Sequence, residues 1–497
     1  MSPPPSREQK LTQAQPSVAA VVVLAAGQGT RMRSRTPKVL HAIGGRSMLG
    51  DVLAAVAPLG GARTVVVVGS GRDQVEAHLA DIAPDARAVL QEQQNGSGHA
   101  AAIALDALTD VDGPVLIVNG DAPLLRTSTV QALVDAHRSA GDLLTVLTAA
   151  VPDPTGLGRI VRDDEGRVTA LVEERDATPE QRAITEVNAG VYLGDRAAVR
   201  AALSRVGAAN DQGEQYLTDV LGLLVGDGAP VGGHRAADAD DTLGCNDRRE
   251  LAARRRTLND RVLDDLMRGG VTVVDPLTTW VDVTVEVGPD TVLHPGTQLL
   301  GATVVAGGAV VGPDSTLTDT EVGEGARVVR THAELAVVGP DVQVGPFAYL
   351  RPGTRLARGS KVGTFVETKN ASLGEGSKIP HLSYVGDATI GEGTNIGAAT
   401  VFVNYDGVAK HHTTIGDHAR TGADNMFVAP VTVGDGAYTA AGSVITTDVP
   451  PGAMGVARAT QRNVAGWVGR RRPGTAAAAA AEAATGRGTD DAQGTPS

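Results

Sequence analysis

From Val281 onward, nearly every sixth position is aliphatic. Val281, Val287, Leu293, Leu299, Val305, Val311 and Leu317 keep that spacing without a break. The phase then slips and resumes at Val338, Val344, Leu350, Leu356 and Val362, and again at Leu373, Ile379 and Val385. It returns at Ile390 and Ile396, and last at Phe427, Val433 and Ile445. A period of six fits neither a helix, at about 3.6, nor an alternating strand, at about 2. It suits a coiled parallel β-helix, each turn of which points aliphatic residues inward. Gly often follows the aliphatic residue, as in Val287-Gly288, Val344-Gly345, Val385-Gly386, Ile396-Gly397 and Val433-Gly434. That placement predicts tight corners which need glycine's freedom. Three hexads per coil between Val271 and Val449 predict roughly nine or ten coils, with Pro450-Pro451 ending the stack. Such an architecture points to acyl transfer and names no substrate.

The first half has a different rhythm. Val18–Ala26, Thr64–Val68, Val115–Val118 and Leu143–Ala149 read as short strands. Helical stretches such as Asp51–Ala57 and Thr127–Ser139 separate them, which predicts an α/β domain on a mainly parallel, Rossmann-like sheet. Between the halves, Leu251, Leu258, Val262 and Leu266 fall on one face of a charged helix. Asp247 and Glu250 form a capping box at its start, and Gly269-Gly270 stops it. The expected organisation is a disordered, Pro-rich lead-in over 1–17, an α/β domain over 18–243, a linker helix over 244–270 and a β-helix over 271–465. A tail over 466–497, holding Arg470–Arg472 and the run Ala476–Ala481, is expected to be mostly disordered.

Composition narrows the partners. A formal charge of -13 and 2% aromatic residues over 497 positions argue against nucleic acid. The single cysteine, Cys245, excludes an intrachain disulfide and suits a reducing cytoplasm. Val18–Ala26 is too short to span a membrane and has no basic segment before it, so no membrane partner is expected.

The first strand runs directly into Leu24–Met32, L-A-A-G-Q-G-T-R-M. Gly27 and Gly29 permit a sharp turn with N–H groups free for phosphate, and Arg31 adds forked donors. Lys38 follows in Thr36-Pro37-Lys38. Two cations and a Gly-rich turn at a strand's carboxyl end make a triphosphate cradle. A lone Gly-x-Gly would be only a corner; the whole string says more. Val115–Val118 ends in Asn119-Gly120-Asp121, and Asp121 alone reads equally as a turn residue before Pro123 or as a Mg²⁺ ligand. Beside the phosphate loop the metal reading prevails.

In the second half, the informative places are those where the hexads lapse. These are Leu350–Gly353, Phe365–Lys369, His381–Tyr384 and Asn404–Gly407, with a loop between Ile396 and Ile415 that holds Lys410, His411 and His412. With eleven histidines in the chain, His381 by itself reads as structural.

The strings L-A-A-G-Q-G-T-R-M, P-K-V-L-H, N-G-S-G-H-A, N-G-D-A-P-L, D-P-T-G-L-G-R-I and V-N-A-G-V stand in this order before a hexad domain. From Val18 to Trp467 the chain thereby resembles the bacterial bifunctional N-acetylglucosamine-1-phosphate uridyltransferase/glucosamine-1-phosphate acetyltransferases. The resemblance implies a left-handed parallel β-helix that assembles as a homotrimer. It also implies synthesis of UDP-N-acetylglucosamine for peptidoglycan from UTP, glucosamine 1-phosphate and acetyl-CoA, with Mg²⁺. Leu24, Ala25, Ala26, Gly27, Gln91, Gly96 and Ser97 would hold the nucleotide, with Asn119 and Gly120 beside it. Arg31 and Lys38 would neutralise phosphate, and Asp121 and Asn246 would bind Mg²⁺. Asn246 read alone is only a helix-start residue. Gly158, Glu173 and Asn188 would hold the amino sugar.

For acetyl transfer, the resemblance makes His381 the base, Glu367 its partner and Asn404 a candidate for stabilising the oxyanion. Arg351, Lys369, Tyr384 and Asn395 would bind the sugar phosphate. Ala398, Asn404, Tyr405, Ala423, Ala441 and Arg458 fall at acetyl-CoA positions. Arg470–Arg472 could touch CoA phosphates, though a solvated basic tail is the plainer reading. Three positions depart from the family pattern. Asn119 replaces an aromatic residue, Ala423 a serine beside the acetyl group, and Ala399 a glycine whose loss is expected to crowd the cofactor side. Two rival readings are disfavoured: a nucleotidyltransferase whose β-helix only regulates or oligomerises, against which the His381–Tyr384 and Asn404–Gly407 strings speak, and a non-catalytic assembly subunit, against which intact Arg31, Lys38, Asp121 and Asn246 speak.

Overall fold

The computed structural model describes residues 18–60, 63–208 and 213–490, so the expected lead-in lies outside the described residues. The chain forms two compact units, one ending at Pro352 and one beginning at Gly353.

The first unit opens with a nine-stranded sheet. Its strands are β1 (Ala20–Leu24), β2 (Thr64–Val68), β3 (Arg87–Leu90), β4 (Pro114–Asn119), β5 (Leu144–Ala150), β6 (Arg159–Arg162), β7 (Val168–Val172), β8 (Glu186–Asp195) and β9 (Val231–Arg235). The main path runs β9-β5-β8-β4-β1-β2-β3, and the β6–β7 hairpin joins it through β8. Neighbours on this path are parallel except at β8, which runs antiparallel to β4 and β5. The unbroken aliphatic strings A-V-V-V-L and T-V-V-V-V suit strands covered on both faces. Successive residues go to opposite layers. Val21, Val23, Val66 and Val68 meet Leu49, Val52 and Leu133 on one side, while Val22, Val65 and Val67 meet Ala101 and Leu105 on the other.

The linking helix spans Arg248–Arg268 and stops at Gly269. The Asp247 side chain accepts the N–H groups of Arg249 and Glu250, each at 2.8 Å. Glu250 reaches back one residue further than a capping box, to the N–H of Asn246 at 2.6 Å. Its fully buried positions are Leu251, Asn259 and Leu263, with the expected Leu258, Val262 and Leu266 only half-buried. A polar residue sits in the apolar stripe because the first coil leaves backbone groups that need partners. Asn259 accepts from Val281 N and donates to Thr279 O, both at 2.9 Å. The guanidinium of Arg256 lies 4.4 Å from the Trp280 ring centroid. Gly44, in the hairpin Ala42–Ser47, accepts the N–H of Val283 at 2.9 Å. Sheet, helix and first coils are thus knitted into one body, so the expected limits at 243/244 and 270/271 do not separate compact units.

Both units carry stretches of left-handed parallel β-helix. Val281 stands opposite Leu299 and Leu299 opposite Leu317, three hexads apart. Val305 faces Val322 and Leu317 faces Ala333, so coils shortened by one or two residues account for the slips in phase. In the second unit Ile390 faces Ile415 and Phe402 faces Phe427, because a loop around Tyr405–Lys410 lengthens that coil.

The glycines do a different job from the expected one. Of the five that follow an aliphatic residue, only Gly345 has a left-handed backbone, with φ 93°. At the other four, a Cβ would strike nearby atoms: 2.5 Å from Gly307 N at Gly288, 2.4 Å from Tyr384 Oη at Gly386, 2.2 Å from Gly422 O at Gly397 and 2.5 Å from Pro451 N at Gly434. Close approach of other groups, chiefly the adjacent coil, explains them. Many left-handed corners carry side chains instead, among them Asp314, Arg330 and Phe347 in the first unit and Phe365, Leu382, Ala399 and Asp424 in the second.

The tail is more ordered than expected. Trp467–Arg471 and Ala476–Asp490 are helical. Alanine's high helix propensity accounts for the second of these. Residues 491–497 lie outside the described residues. No helix among the described residues is long and apolar enough to cross a membrane.

Two stability predictions follow from these strains. Ala399 has φ 57°, and an L side chain there costs roughly 1–2 kcal/mol, part of which glycine gives back in unfolded-chain entropy. Ala399→Gly should therefore stabilise the protein by about 0.5–1 kcal/mol, read as a raised Tm; a lowered Tm would refute the strain. Asp51 is buried with Oδ2 lacking a hydrogen-bond partner, and burial pushes its carboxyl up to about 7, against a smaller opposing pull from Arg46. A raised folded-state value means stability that is present below about pH 4 and lost as pH rises through about 7. The advantage of Asp51→Asn over the parent should grow between pH 4 and pH 8 by on the order of 4 kcal/mol. A difference independent of pH would overturn this.

Candidate active sites

The carboxyl ends of β1 and β4 open onto a cleft of about 690 Å³. Gly29 starts a short 3-10 turn at φ 59°, and a Cβ there would lie 2.5 Å from Lys38 Cβ. Glycine is what lets the lysine segment close against the loop. Of the residues expected to hold nucleotide, Leu24, Ala25, Ala26, Gly27, Gln91, Gly96, Ser97 and Asn119 line the cleft, with Arg31, Lys38, Asp121 and Asn246. Gly120 lies behind, its N–H bonded to Leu24 O at 2.9 Å.

The cations and the expected metal ligands converge. The Lys38 ammonium contacts the Asp121 carboxylate and donates to Asn246 Oδ1 at 2.8 Å. Arg31 donates to the same oxygen at 2.9 Å. Sequence distance is bridged by the backbone: Cys245 N–H bonds to Asp121 O at 3.0 Å. Further along, buried Asp241 accepts from Arg126 and Arg261, each at 2.8 Å, tying the chain after Asp121 to the turn before Asn246. Burial pushes the Cys245 thiol up to about 11, so it is a packing group here. Among the described residues no cluster of three or more His, Cys, Asp or Glu could hold a metal. Two oxygen donors that converge on one point nevertheless fit Mg²⁺, which keeps waters and substrate phosphates in its shell.

Some lining residues carry no signal in the sequence. Gln94 reaches Ala26 O at 2.9 Å from the position just before the N-G-S-G-H-A string, where nothing marks it out from its neighbouring glutamines. Glu214 enters because Gly98 N–H bonds to Gln215 O and Ser97 Oγ accepts from Leu217 N–H. Gly96 has no room for a Cβ, which would lie 2.4 Å from Gln215 O.

Gly158, Glu173 and Asn188 form a second cluster. A Cβ at Gly158 would lie 3.5 Å from Glu173 Oε2 and 3.6 Å from Asn188 Cβ. Burial raises the Glu173 carboxyl above its ordinary value, opposed by a hydrogen bond from Thr218, and nearby Asp219 and Asp176 push it further. Asn188 donates to Tyr192 Oη at 2.7 Å, which fixes its amide. Asn119 lines the nucleotide cleft and also lies against Gly190, where a Cβ would sit 2.2 Å from its Nδ2. Gly190 N–H in turn donates to Asn188 Oδ1 at 2.9 Å, so Asn119 stands between the two clusters.

In the second unit, His381 ends the strand Lys378–His381 with its side chain exposed. Its carbonyl accepts Ala399 N–H at 3.2 Å and Ser383 Oγ–H at 2.8 Å. The column continues through Asp424 N–H to Ala398 O at 2.7 Å and Gly442 N–H to Ala423 O at 2.8 Å. Ala441 follows, against which a Cβ at Gly422 would lie 2.4 Å from N, and the Arg458 side chain comes within 3.9 Å of the equivalent point at Gly442. His381, expected as the base, therefore shares one corner with Ala398, Ala423, Ala441 and Arg458, four of the six expected acetyl-CoA positions. At Ala399, where crowding was expected, the structure shows a left-handed backbone.

On the adjoining face Glu367 stands opposite Tyr384 and Lys369 opposite Gly386. Asn404 donates to Asp387 Oδ2 at 2.5 Å and lies 3.4 Å from Tyr384 Oη. Asn395 pairs between Lys378 and Arg420. Arg351 belongs to the first unit, its guanidinium 6.0 Å from the Tyr349 ring centroid. Tyr405 is exposed, and its hydroxyl donates to Gly407 O at 2.7 Å. The loop is ordered from within. The N–H of Ala409 and the His411 ring hold the Asp406 carboxyl well below the usual range, and His412 meets Thr389 Oγ1 at 3.0 Å.

Residues 21–217 match the MobA-like NTP transferase domain family. The bifunctional protein GlmU of Streptomyces coelicolor is 61% identical over 467 residues, covering 94% of this chain and 97% of that protein. Its namesake in Streptomyces avermitilis is 62% identical over 469 residues, with the same coverage. That of Thermobifida fusca is 60% identical over 477 residues, covering 95% of this chain and 99% of its own. With a nucleotidyltransferase sheet leading into a β-helix, and most residues shared over nearly the whole length, this chain belongs to the family of bifunctional GlmU proteins.

Proposed function

We propose that the chain makes UDP-N-acetylglucosamine in two steps at separate sites. Acetyl-CoA acetylates glucosamine 1-phosphate in the β-helix, and the α/β domain joins the product to UTP. The observation that carries this reading is the meeting of Lys38 and Arg31 with Asp121 and Asn246 at the mouth of a sheet cleft.

In the first step the sugar amine attacks the thioester carbonyl, the C–S bond breaks, and CoA leaves as its thiol. His381, exposed on its corner, takes the proton the amine sheds. Lys369, Tyr384 and Asn395 hold the sugar phosphate, and Glu367 orients the imidazole. Ala398, Ala423, Ala441 and Arg458 line the donor's path. Ala423 offers only its backbone N–H where the family has a hydroxyl, and the base and sugar-phosphate cations are unaffected by that loss.

In the second step a phosphate oxygen of N-acetylglucosamine 1-phosphate attacks the α-phosphorus of UTP in line, and pyrophosphate leaves. Asp121 and Asn246 would hold Mg²⁺, which supplies charge neutralisation at the phosphates. Lys38 and Arg31 bind the triphosphate, the Gly27–Gly29 turn offers N–H groups, and Gln91, Gly96 and Ser97 orient the base. Gly158, Glu173 and Asn188 receive the sugar. Positioning and charge stabilisation carry this step, with little covalent work for the protein.

Assembly follows the same reading. Phe365 and Leu382 project from left-handed corners at 58% and 60% exposure, and Val408 caps the Tyr405–Lys410 loop at 92%. Apolar groups held out from a rigid scaffold favour lateral packing of further copies, and a homotrimer completes the acetyl site. The division into 18–243, 244–270 and 271–465 is functional, with residence in the cytoplasm and no nucleic-acid or membrane partner.

One assay tests both halves: glucosamine 1-phosphate, acetyl-CoA, UTP and Mg²⁺ are supplied and both products followed. Asp121→Asn should cut uridylyl transfer by about 100-fold or more and spare acetyl transfer. His381→Ala should do the reverse, slowing acetyl transfer by about 10²- to 10⁴-fold. Parental rates in either variant at its own site would sink that assignment, and failure of the parent to consume acetyl-CoA would leave the β-helix without chemistry.

A further inference from the structure

Three polar side chains from successive coils of the second unit stand in line: Asn370, Asp387 and Asn404. Asn370 Nδ2 donates to Asp387 Oδ1 at 2.8 Å, and Asn404 Nδ2 donates to Asp387 Oδ2 at 2.5 Å. Asn370 and Asp387 both occupy left-handed corners, at φ 45° and 50°. These are conformations that Asn and Asp adopt more readily than other side chains. Partial burial works against ionisation of Asp387. The two amides, with Lys410 and Lys369 nearby, outweigh it and hold the carboxyl below its usual range. Gly386 clears the space in front: a Cβ there would lie 2.4 Å from Tyr384 Oη and 2.7 Å from Asn404 Nδ2.

A side-chain amide is nearly symmetrical in shape, so sterics alone leave its oxygen and nitrogen interchangeable. A carboxylate can only accept. Asp387 therefore compels Asn404 to turn Nδ2 inward and leaves Oδ1 directed away from the ladder. An amide turned the other way would set two acceptors against each other at hydrogen-bond distance.

We propose that Asp387 is a positioning residue for acetyl transfer: with Asn404 Nδ2 taken up by Asp387 and Tyr384, Oδ1 is turned outward to accept from the attacking amine, and the oxyanion role expected of Asn404 falls away. The proposal rests on the reading that Asn404 lies at the reacting centre. It acts through that amide, and Asp387 itself touches neither substrate. The Asn370 bond uses the other carboxylate oxygen, so it steadies Asp387 without deciding which way Asn404 points.

The test uses the full-length enzyme and four variants: Asp387→Asn, Asn370→Ala, Asn404→Ala and the double variant Asp387→Asn/Asn404→Ala. Asp387→Asn is isosteric and lets the Asn404 amide take either orientation. Its kcat for acetyl transfer should fall by about 10- to 100-fold. The KM for glucosamine 1-phosphate should stay within about twofold, and uridylyl transfer in the same preparation should be unchanged, reporting an intact fold. In the Asn404→Ala background, adding Asp387→Asn should change kcat no further. Asn370→Ala should retain most of the parental kcat.

Four results overturn the proposal. A full additional loss in the double variant would show that Asp387 acts independently of Asn404. An equal loss in Asn370→Ala would make the ladder a scaffold only. A parental rate in Asp387→Asn beside a crippled Asn404→Ala would remove the positioning role while leaving the site reading intact. A parental rate in Asn404→Ala itself would remove both, which separates failure of the site from failure of its support.

Discussion

Successive coils of the β-helix lie one strand spacing apart, about 4.8 Å, and much of the second half of the molecule answers to that distance. It leaves no room for a Cβ where one coil's bend presses on the next, and Gly288, Gly397 and Gly434 mark those places. It fixes which side chains stand above one another, so residues far apart in sequence become vertical neighbours. His381, Ala399, Ala423 and Ala441 are brought to one corner by this repetition, and Asn370, Asp387 and Asn404 to another. A stack of nearly identical turns becomes chemically specific only where it departs from its own rule. The coil lengthened between Ile390 and Ile415 supplies such a departure, and Asn404 and Tyr405 lie where the chain leaves the stack.

The first half solves its problem by another route. A sheet whose strands run mostly parallel gathers loops at its carboxyl edge, and these loops carry Arg31, Lys38 and Asp121. Asn246 arrives from the start of a helix more than a hundred residues later, held in place by Cys245 N–H on Asp121 O. A backbone bond of this kind has no residue preference, which is why the site's closure cannot be read from side-chain identity.

What the sequence reveals follows from the same distinction. The six-residue period, the aliphatic strands and the stopping glycine of the linking helix are local or periodic, and the structure matches them closely. Asp247 is visible as a helix start, whereas the step of Glu250 back to Asn246 is not, since either geometry satisfies the spacing. Thr218 and Glu214 are absent from the motif reading because their place depends on a loop pairing with Asn95–Gly98, and Gln94 because its place depends on a bond to Ala26 O across the cleft. The glycines differ from expectation for a physical reason: glycine is required both for a left-handed bend and for a close approach, and residue type is the same in either case. Left-handed corners that carry Phe365, Leu382 or Ala399 would not be suspected from residue type at all.

The contacts at the start of the β-helix have a wider consequence. A stack of parallel strands ends in a row of open backbone groups, the same feature that lets sheets grow by recruiting further chains. Asn259 occupies Thr279 O and Val281 N, and Gly44 O occupies Val283 N. A helix and a hairpin tip therefore act as an end-stop, and the joint between the two halves is also what keeps the coil from adding turns that belong to another molecule.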